Sequence, residues 1–399
     1  MPRSVRRPEV LLIILAAAAG LAFSVWQALL NNFAVERAAF SGVEIGILQS
    51  LREVPGFLAF TVVFVLLVLR EQRVALLSVA ILGVGVGLTG FLPSEYGLYM
   101  TTVLMSVGFH YYYTLQQSLT LQWIDTGRSP IIMGWQSSAG SIASLIAFAG
   151  VWVGLTWWGL DYLWLYLIAG GLTCAAALVA WAVFPDFPHS VRQRKHLLMR
   201  HRYWLFYALT FMSGARRQIF IVFAGFLLVE KFGFSAANIA LLFLVNHVVN
   251  AAFAPRIGGL IARLGERRIL TWEYLGLIAI FSAYAVVEVA WVAASLYVID
   301  HILFAMAIAI RTYFQKIADP ADIASTAGVS FTINHIAAVV IPVVFGVVWL
   351  SSPAIVFLAG AAMAGGSLVL ARFVPARPAP GNEVRALSLP ALLSKGQST

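Results

Sequence analysis

The sequence predicts an all-α polytopic membrane protein, with 12 transmembrane helices in two six-helix halves and both termini in the cytoplasm. Three observations predict this fold class: the composition, the lengths of the apolar segments, and the placement of the basic residues. Of the 399 residues, 61% are hydrophobic and 11% are charged, whereas soluble domains have about 45–50% apolar and about 25% charged residues. The mean hydropathy of +0.88 also lies in the membrane-protein range.

Apolar segments of membrane-spanning length recur along almost the whole chain. A helix that crosses the hydrocarbon core needs about 20 mostly apolar residues. The first segment follows basic residues, as a signal peptide does, but its apolar run continues to about Leu30, so we interpret it as a retained span. The predicted spans 1 to 12 cover residues 10–32, 43–69, 74–93, 96–122, 130–156, 160–184, 203–229, 235–257, 269–287, 290–312, 324–350 and 353–373.

The basic residues indicate the orientation of these spans. Most of the 26 lysines and arginines lie at the N-terminus or in the connections after even-numbered spans. The connections on the other side carry only Arg37 and Lys231. The positive-inside rule therefore predicts that both termini are cytoplasmic. Since this topology explains the net charge of +9, we expect no nucleic-acid partner.

The chain divides at a basic, proline-containing connection. We predict an N-terminal half over residues 1–184, a central cytoplasmic loop over 185–202, a C-terminal half over 203–374 and a disordered tail over 375–399. Spans 4 and 10 lead into similar glycine- and serine-rich openings of the following spans. Two six-span halves repeated in parallel are typical of a rocking transporter with a central site.

A loop after span 8 carries a resemblance to a known family. Its sequence, Gly-Gly-Leu-Ile-Ala-Arg-Leu-Gly-Glu-Arg-Arg over residues 258–268, resembles the Gly-x-Leu-Ala-Asp-Arg-x-Gly-Arg-Arg loop of the major facilitator superfamily. Ala262 stands where the family has aspartate, and the connection at residues 69–73 lacks the glycines. A simple positive-inside turn is the alternative interpretation. The resemblance, over residues 10–373, implies alternating access and a conformational loop that contains Gly258, Arg263, Gly265 and Arg267.

Ionisable residues at mid-membrane depth are the candidates for function. A guanidinium there costs roughly 2.5–3.5 kcal/mol, so such residues usually have a partner and a function. Adjacent helical residues point about 100° apart, so one of Arg216 and Arg217 could pair with Glu53 or Asp300 while the other binds a ligand. The set comprises Arg52, Glu53, His110, Arg216, Arg217, His247, Asp300, His301 and His335.

Helical spacing groups other polar residues with this set. Span 4 carries a stripe of Ser106, His110, Tyr113, Thr114 and Gln117, and span 10 places Asp300 and Arg311 on one face. The family resemblance implies that spans 1, 4, 7 and 10 line a cavity. Three arginines against two acids favour an anion, which arginine binds bidentately. The predicted substrate-binding residues are Arg216, Arg217, Arg52, Gln27, His110, Tyr113, Gln117, Asn246, Asn250 and Arg311.

We therefore predict a secondary active transporter for a small organic anion rather than an enzyme. Imidazoles titrate near physiological pH and buried acids shift upward, so the predicted proton carriers are Glu53, Asp300, His301 and His335. We expect no cofactor beyond a proton gradient. The expected partners are the lipid bilayer and a small solute, and the expected form is a monomer in a bacterial cytoplasmic (inner) membrane.

Three alternatives stay open at this stage. Arg52 and Glu53 could form a tie between helices, and single histidines or asparagines could serve packing. A transition-metal ion or an anionic metal chelate could bind His110, His247, His301 and His335. A membrane enzyme or a receptor is the third alternative, but the sequence has no nucleophile elbow or phosphate loop and no appended signalling domain.

Overall fold

Helices account for the regular structure of the chain. The structure is a computed structural model that describes residues 7–385 except 41, 189–190, 192, 195 and 235. We number the helices after the predicted spans, and three of them are interrupted. They are α1 (Pro8–Ala38), α2 (Gly42–Phe57 and Val62–Val65), α3 (Glu71–Thr89), α4 (Glu95–Trp123), α5 (Ser129–Thr156), α6 (Tyr162–Val183), α7 (Trp204–Gln218 and Gly225–Glu230), α8 (Ala236–Leu264), α9 (Glu266–Val286), α10 (Ala290–Ala305 and Ile308–Ile317), α11 (Ile323–Ser351) and α12 (Pro353–Phe373).

The interruptions lie in the helices that carry predicted site residues. In α2, Pro55 precedes a 3₁₀ turn, Ala59–Thr61, and the axis bends there by 42°. Proline removes a backbone donor and crowds the preceding turn, which explains the bend. In α7 a π-helix, Ile219–Ala224, joins the two segments, and α10 is broken at Met306 and Ala307. Such irregularities often mark functional positions.

The all-helical prediction is confirmed, and most of the predicted spans are helices that are long and apolar enough to cross a membrane. Among the described residues, ten helices are long and apolar enough to cross a bilayer, and the bent α2 makes an eleventh. The polar stripe of α4 lowers its hydropathy, although its 29 residues are long enough. The total of twelve crossings and the cytoplasmic termini stay predictions.

Each predicted half contains its own apolar core. In the first, Trp26, Tyr112 and Tyr166 are fully buried among α1, α3, α4 and α6. In the second, Phe206 and Phe281 are buried among α7, α9 and α12. A third, smaller cluster joins residues of α1, α2 and α4 to the start of α11. Each half therefore has its own core, and the halves also pack extensively against each other along α5 and α8.

The halves are bonded together at the predicted cytoplasmic end. The Gln315 side-chain amide donates to the carbonyls of Leu121 and Ile124, both at 2.7 Å, and the Ser129 hydroxyl donates to the Gln315 carbonyl oxygen. Gly258 lies against the backbone of α5, where a Cβ atom would come within 2.9 Å of Ile131 Cα. The described contacts therefore close the space between the halves at this end.

At the opposite end, the ion pairs stay within one half. Arg37 bonds to Asp161 at 2.7 Å inside the N-terminal half. Lys231 bonds to Glu288 at 2.8 Å inside the C-terminal half. These pairs do not restrain one half against the other, so the ion pairs of the described residues leave the space between the halves less constrained at this end.

The first part of the predicted disordered tail is packed against the protein, contrary to expectation. The Tyr313 hydroxyl donates to the Glu383 carbonyl at 2.5 Å, and the Arg385 amide donates to the Phe373 carbonyl at 2.7 Å. A bridge between Ala379 and Asn382 closes a turn in this segment. Backbone hydrogen bonds and a buried tyrosine thus hold residues 375–385, whereas residues 386–399 lie outside the described part of the chain.

Candidate functional site

Arg216 and Arg217 lie in different environments, because neighbouring helical residues point about 100° apart. Arg216 is 1% exposed. Its Nη2 lies 3.7 Å from Glu273 Oε1 of α9, and its guanidinium stands 4.4 Å from the centroid of the Tyr274 ring. Its Nε donates to the Met212 carbonyl at 3.0 Å. Arg216 is therefore part of the packing inside the C-terminal half.

A second acid completes this buried group. Asp300 of α10 is 0% exposed and interacts electrostatically with Arg216 and Glu273. Within the described residues, the Asp300 carboxyl oxygens and the Arg216 Nη atoms have no hydrogen-bond partner. We call Arg216, Glu273, Tyr274 and Asp300 the buried arginine cluster. The predicted role of Arg216 in substrate binding stays a prediction, and in this structure its guanidinium is enclosed by the C-terminal half.

Glu273 was not among the residues chosen from the sequence. It lies two turns inside α9 rather than at the centre of the span, so a search restricted to mid-span positions passes over it. The available signal is a single carboxylate within an apolar span. Such a group is costly in a bilayer unless it has a partner.

Arg217 is exposed and lies between the two halves. Its guanidinium stands 5.9 Å from the centroid of the Phe304 ring of α10. It interacts electrostatically with Glu53 of α2 and Tyr113 of α4, both in the N-terminal half. Arg217 is thus an accessible side chain near groups of both halves, and we infer that it lines a cavity between them.

Arg311 is a second exposed arginine of this cavity, and its relation to Asp300 differs from the prediction. The break at Met306 and Ala307 ends the regular helical phase, so Asp300 is buried while Arg311 is exposed. Arg311 interacts electrostatically with Arg217 and with Tyr113. Within the described residues, neither arginine has a carboxylate at ion-pair distance. We call Arg217 and Arg311 the cavity arginines.

Three further predicted residues meet at the contact between α2, α4 and α11. The Arg52 guanidinium donates to Glu53 Oε1 at 3.0 Å from Nε and 2.5 Å from Nη2. Glu53 Oε2 lies 3.9 Å from His335 Nε2, and the rings of His110 and His335 are 5.0 Å apart. We call Glu53, His110 and His335 the carboxylate–histidine cluster.

The predicted polar residues of α1, α4 and α8 have mixed surroundings. Gln27 is exposed on α1, and Gln117 is buried one turn beyond Tyr113 on α4. Asn246 is buried, and its side-chain atoms have no hydrogen-bond partner among the described residues. Asn250 instead donates to the hydroxyls of Ser137 and Ser141 at 2.8 and 2.7 Å. These bonds tie α8 to α5, and the predicted role of Asn250 in substrate binding stays a prediction.

The four mid-membrane histidines do not form one group. His110 and His335 belong to the carboxylate–histidine cluster. His247 packs against Phe148 with ring centroids 5.6 Å apart, and His301 packs against Phe220 at 6.2 Å. The alternative prediction of a single four-histidine metal site therefore does not match the described structure.

The predicted conformational loop connects α8 to α9. Gly265 has φ of 81°, a left-handed conformation that favours glycine and lets α9 begin immediately. Arg263 is exposed, and Arg267 is half-buried beside the tail residues. The close approach at Gly258 brings this loop to the start of α5. The loop thus lies where the halves are closed against one another.

The central loop is also attached on this side of the protein. Asp186 accepts hydrogen bonds from Arg70 and Arg73, both at 2.9 Å, and Asp319 accepts one from Arg194 at 2.9 Å. The backbone amide of Ala321 and the Arg194 guanidinium together lower the pKa of Asp319 below its usual value. The beginning and the middle of the loop are therefore held by charge-assisted bonds.

The sequence matches the Major Facilitator Superfamily over residues 10–342. The chain belongs to this family. It is therefore an integral, multi-pass membrane protein and an MFS transporter, as the resemblance in the loop after α8 predicts. No curated protein matches its sequence significantly.

Solved MFS structures share the fold at low sequence identity. FucP in the outward conformation superposes with a TM-score of 0.74 at 15% identity, over 94% of this chain and 100% of FucP. The human organic anion transporter MFSD10 gives 0.72 at 12%, over 93% and 100%. A bacterial homologue of the iron transporter ferroportin, in the outward-facing state, gives 0.74 at 12%, over 92% and 98%.

Proposed function

We propose that this MFS transporter moves a small organic anion across the membrane by alternating access, coupled to protons. The observation that carries the proposal is the pair of cavity arginines, which are exposed between the halves and have no carboxylate partner among the described residues. An unpaired guanidinium inside a membrane protein is costly. A bound carboxylate or phosphate group supplies the missing charge and two parallel hydrogen bonds.

The N-terminal half contributes the opposite wall of this site. Tyr113 interacts electrostatically with both Arg217 and Arg311, so its hydroxyl can contact the same ligand. Gln27 and Gln117 are the further candidates on this side, and Asn246 is the candidate on α8. A ligand held by residues of both halves is released when the halves rock apart, which is the requirement of alternating access.

Two groups are available for proton coupling. In the carboxylate–histidine cluster, Glu53 and His335 lie close to Arg52, His110 and Arg217, so a change of protonation there alters the charge beside the cavity. In the buried arginine cluster, one guanidinium faces two carboxyl groups, and one of these acids must stay neutral in an apolar site. We propose Glu53 with His335 as the primary pair because only this group borders the cavity, and Asp300 and His301 as secondary candidates.

The solved relatives make this proposal reasonable without deciding it. FucP from E. coli is a fucose:proton symporter, and MFSD10 is an organic anion transporter. The ferroportin homologue suggests a metal ion as the alternative cargo. We do not favour a metal ion as the cargo, because the cavity arginines disfavour a free cation at the substrate position between them and because His247 and His301 pack away from His110 and His335 in the described structure.

We place the transporter in a bacterial cytoplasmic membrane as a monomer, with no cofactor beyond the proton gradient. The closed end, at Gln315 and Gly258, is then cytoplasmic, and the cavity arginines are reached from outside. The assignment of the closed end to the cytoplasmic side follows from the basic residues in the connections after even-numbered helices.

The test is uptake into proteoliposomes of labelled lactate, succinate and citrate, with and without an inward proton gradient. We expect at least one anion to accumulate faster with the gradient, and Arg217→Gln to abolish its uptake. Arg256→Gln, at an exposed arginine of α8, is the matched control. Uptake that ignores the gradient would overturn proton coupling, and normal anion uptake by both Arg217→Gln and Arg311→Gln would overturn the proposed site.

A further inference from the structure

The carboxylate–histidine cluster has the composition and spacing of a metal site. The ligating atoms of Glu53, His110 and His335 all lie within 4.8 Å of one another. They come from three helices, with α2 and α4 in the N-terminal half and α11 in the C-terminal half. A carboxylate with two imidazoles is a common zinc ligand set, and it leaves a fourth position open.

The hydrogen bonds around the cluster orient the histidines for this role. His335 Nδ1 lies 2.9 Å from the Phe331 carbonyl oxygen, and His110 Nδ1 lies 2.9 Å from the Ser106 carbonyl oxygen. The Nδ1–H groups donate to these carbonyls, so each Nε2 carries a lone pair directed to the cluster. Metal-binding histidines are usually held in this way, through a second hydrogen bond of the ring.

The carboxylate is also held with one oxygen free. Arg52 donates its hydrogen bonds to Oε1 of Glu53, and Oε2 lies 3.9 Å from His335 Nε2. The Ser106 hydroxyl donates to the Arg52 carbonyl and fixes α4 against α2. All three ligands are thus placed by bonds that do not involve the ligating atoms themselves.

A glycine makes room for the two rings. A Cβ atom at Gly56 would lie 2.6 Å from His335 Nε2 and 2.8 Å from His110 Cδ2. Gly56 follows Pro55 where α2 bends. The two histidine rings therefore pack directly against the backbone of Gly56, and the side chain of any other residue at position 56 would occupy part of this space.

We propose that Glu53, His110 and His335 bind a divalent transition-metal ion of zinc-like preference, and that the ion bridges the two halves. Zinc–nitrogen and zinc–oxygen bonds of about 2.0–2.2 Å require the ligands to move inward from their present spacing. Arg52 bonds to Glu53, and Arg217 interacts electrostatically with Glu53 and His335, so these two cations favour a hydroxide or another anion as the fourth ligand. An ion bound to both halves stabilises the arrangement in which these halves are in contact here.

The experiment is zinc titration of the purified full-length protein, with any affinity tag removed, and it needs no substrate. We expect micromolar Zn²⁺ to raise the melting temperature and Mg²⁺ to have no effect. His110→Gln in one half and His335→Gln in the other should each abolish the Zn²⁺ shift. His247→Gln and His301→Gln, the two mid-membrane histidines outside the cluster, are the matched controls and should keep it.

The visible absorption of bound Co²⁺ is a second readout, for variants whose melting temperature without metal differs from that of the wild type. Co²⁺ bound with low coordination number absorbs visible light, and we expect this absorption in the wild type and its loss in Glu53→Gln and Gly56→Leu. The proposal is overturned if Zn²⁺ does not stabilise the wild type, or if the His247 and His301 variants lose the shift as fully as the His335 variant. Because the readouts use the metal alone, these outcomes are independent of anion transport.

Discussion

The buried arginine cluster and the cavity arginines show two ways of holding a guanidinium inside a membrane protein. Arg216 is enclosed by Glu273, Tyr274 and Asp300, and acidic side chains of the protein compensate its positive charge. Arg217, the next residue, is exposed between the halves without an acid at ion-pair distance in the described structure. The first arrangement is a structural requirement of the C-terminal half, and the second is a requirement that only a ligand satisfies.

The largest effect should follow from removing the buried arginine. Arg216→Gln leaves Glu273 and Asp300 without a cation, and breaking a buried ion pair in this way typically costs about 3–5 kcal/mol. We expect a large fall in the melting temperature of the purified protein. Arg217→Gln serves as the control and should melt close to the wild type. Equal stability of the two variants would contradict the difference between these environments.

A smaller effect should follow at the closed end, where Gln315 joins the halves. Gln315→Ala removes three hydrogen bonds between the halves, each worth about 0.5–1.5 kcal/mol. The cavity can then open toward the cytoplasm and close on the outside, so Arg217 should become less accessible from outside. Spin labels at Tyr96→Cys and Val286→Cys, two exposed positions of opposite halves, report this change in a Cys174→Ala background. We expect a new population at shorter distance. An unchanged distance distribution would exclude this role of Gln315.

The smallest effect should come from Asn250, a predicted substrate-binding residue whose side chain bonds to α5. Side-chain hydrogen bonds between membrane helices contribute about 0.6 kcal/mol each. Asn250→Ala should therefore lower the melting temperature slightly and leave the affinity for the transported anion unchanged. A loss of affinity for the anion without a loss of stability would contradict this expectation and indicate that Asn250 contacts the anion.

The sequence predicts the helices well because a long apolar run is a property of a single segment. It also separates Arg216 from Arg217 in principle, since the helical angle forbids a shared partner. The acid that pairs with Arg216 could not be chosen, because the contact between α7 and α9 is tertiary. Arg311 was placed on the face of Asp300 by regular helical spacing, and the break at Met306 changes that face.

The cluster at α2, α4 and α11 shows the same limit. His110 and His335 could be recognised as mid-membrane residues, but their meeting depends on how the two halves dock. Gly56 carries no sequence signal of its role, because its function is to leave space for side chains from other helices. Residues that act by proximity across halves are found only when both halves are in place.

Arginine modification by phenylglyoxal most directly tests the central claim that adjacent arginines have separate functions. The reagent reacts with accessible guanidinium groups, and fragmentation of the peptide that contains residues 216 and 217 assigns the modified site. We predict that Arg217 and Arg311 react in the native protein, that Arg216 reacts only after unfolding, and that the transported anion slows the reaction of Arg217. Equal reactivity of Arg216 and Arg217 in the native protein, or no protection by the anion, would contradict the account.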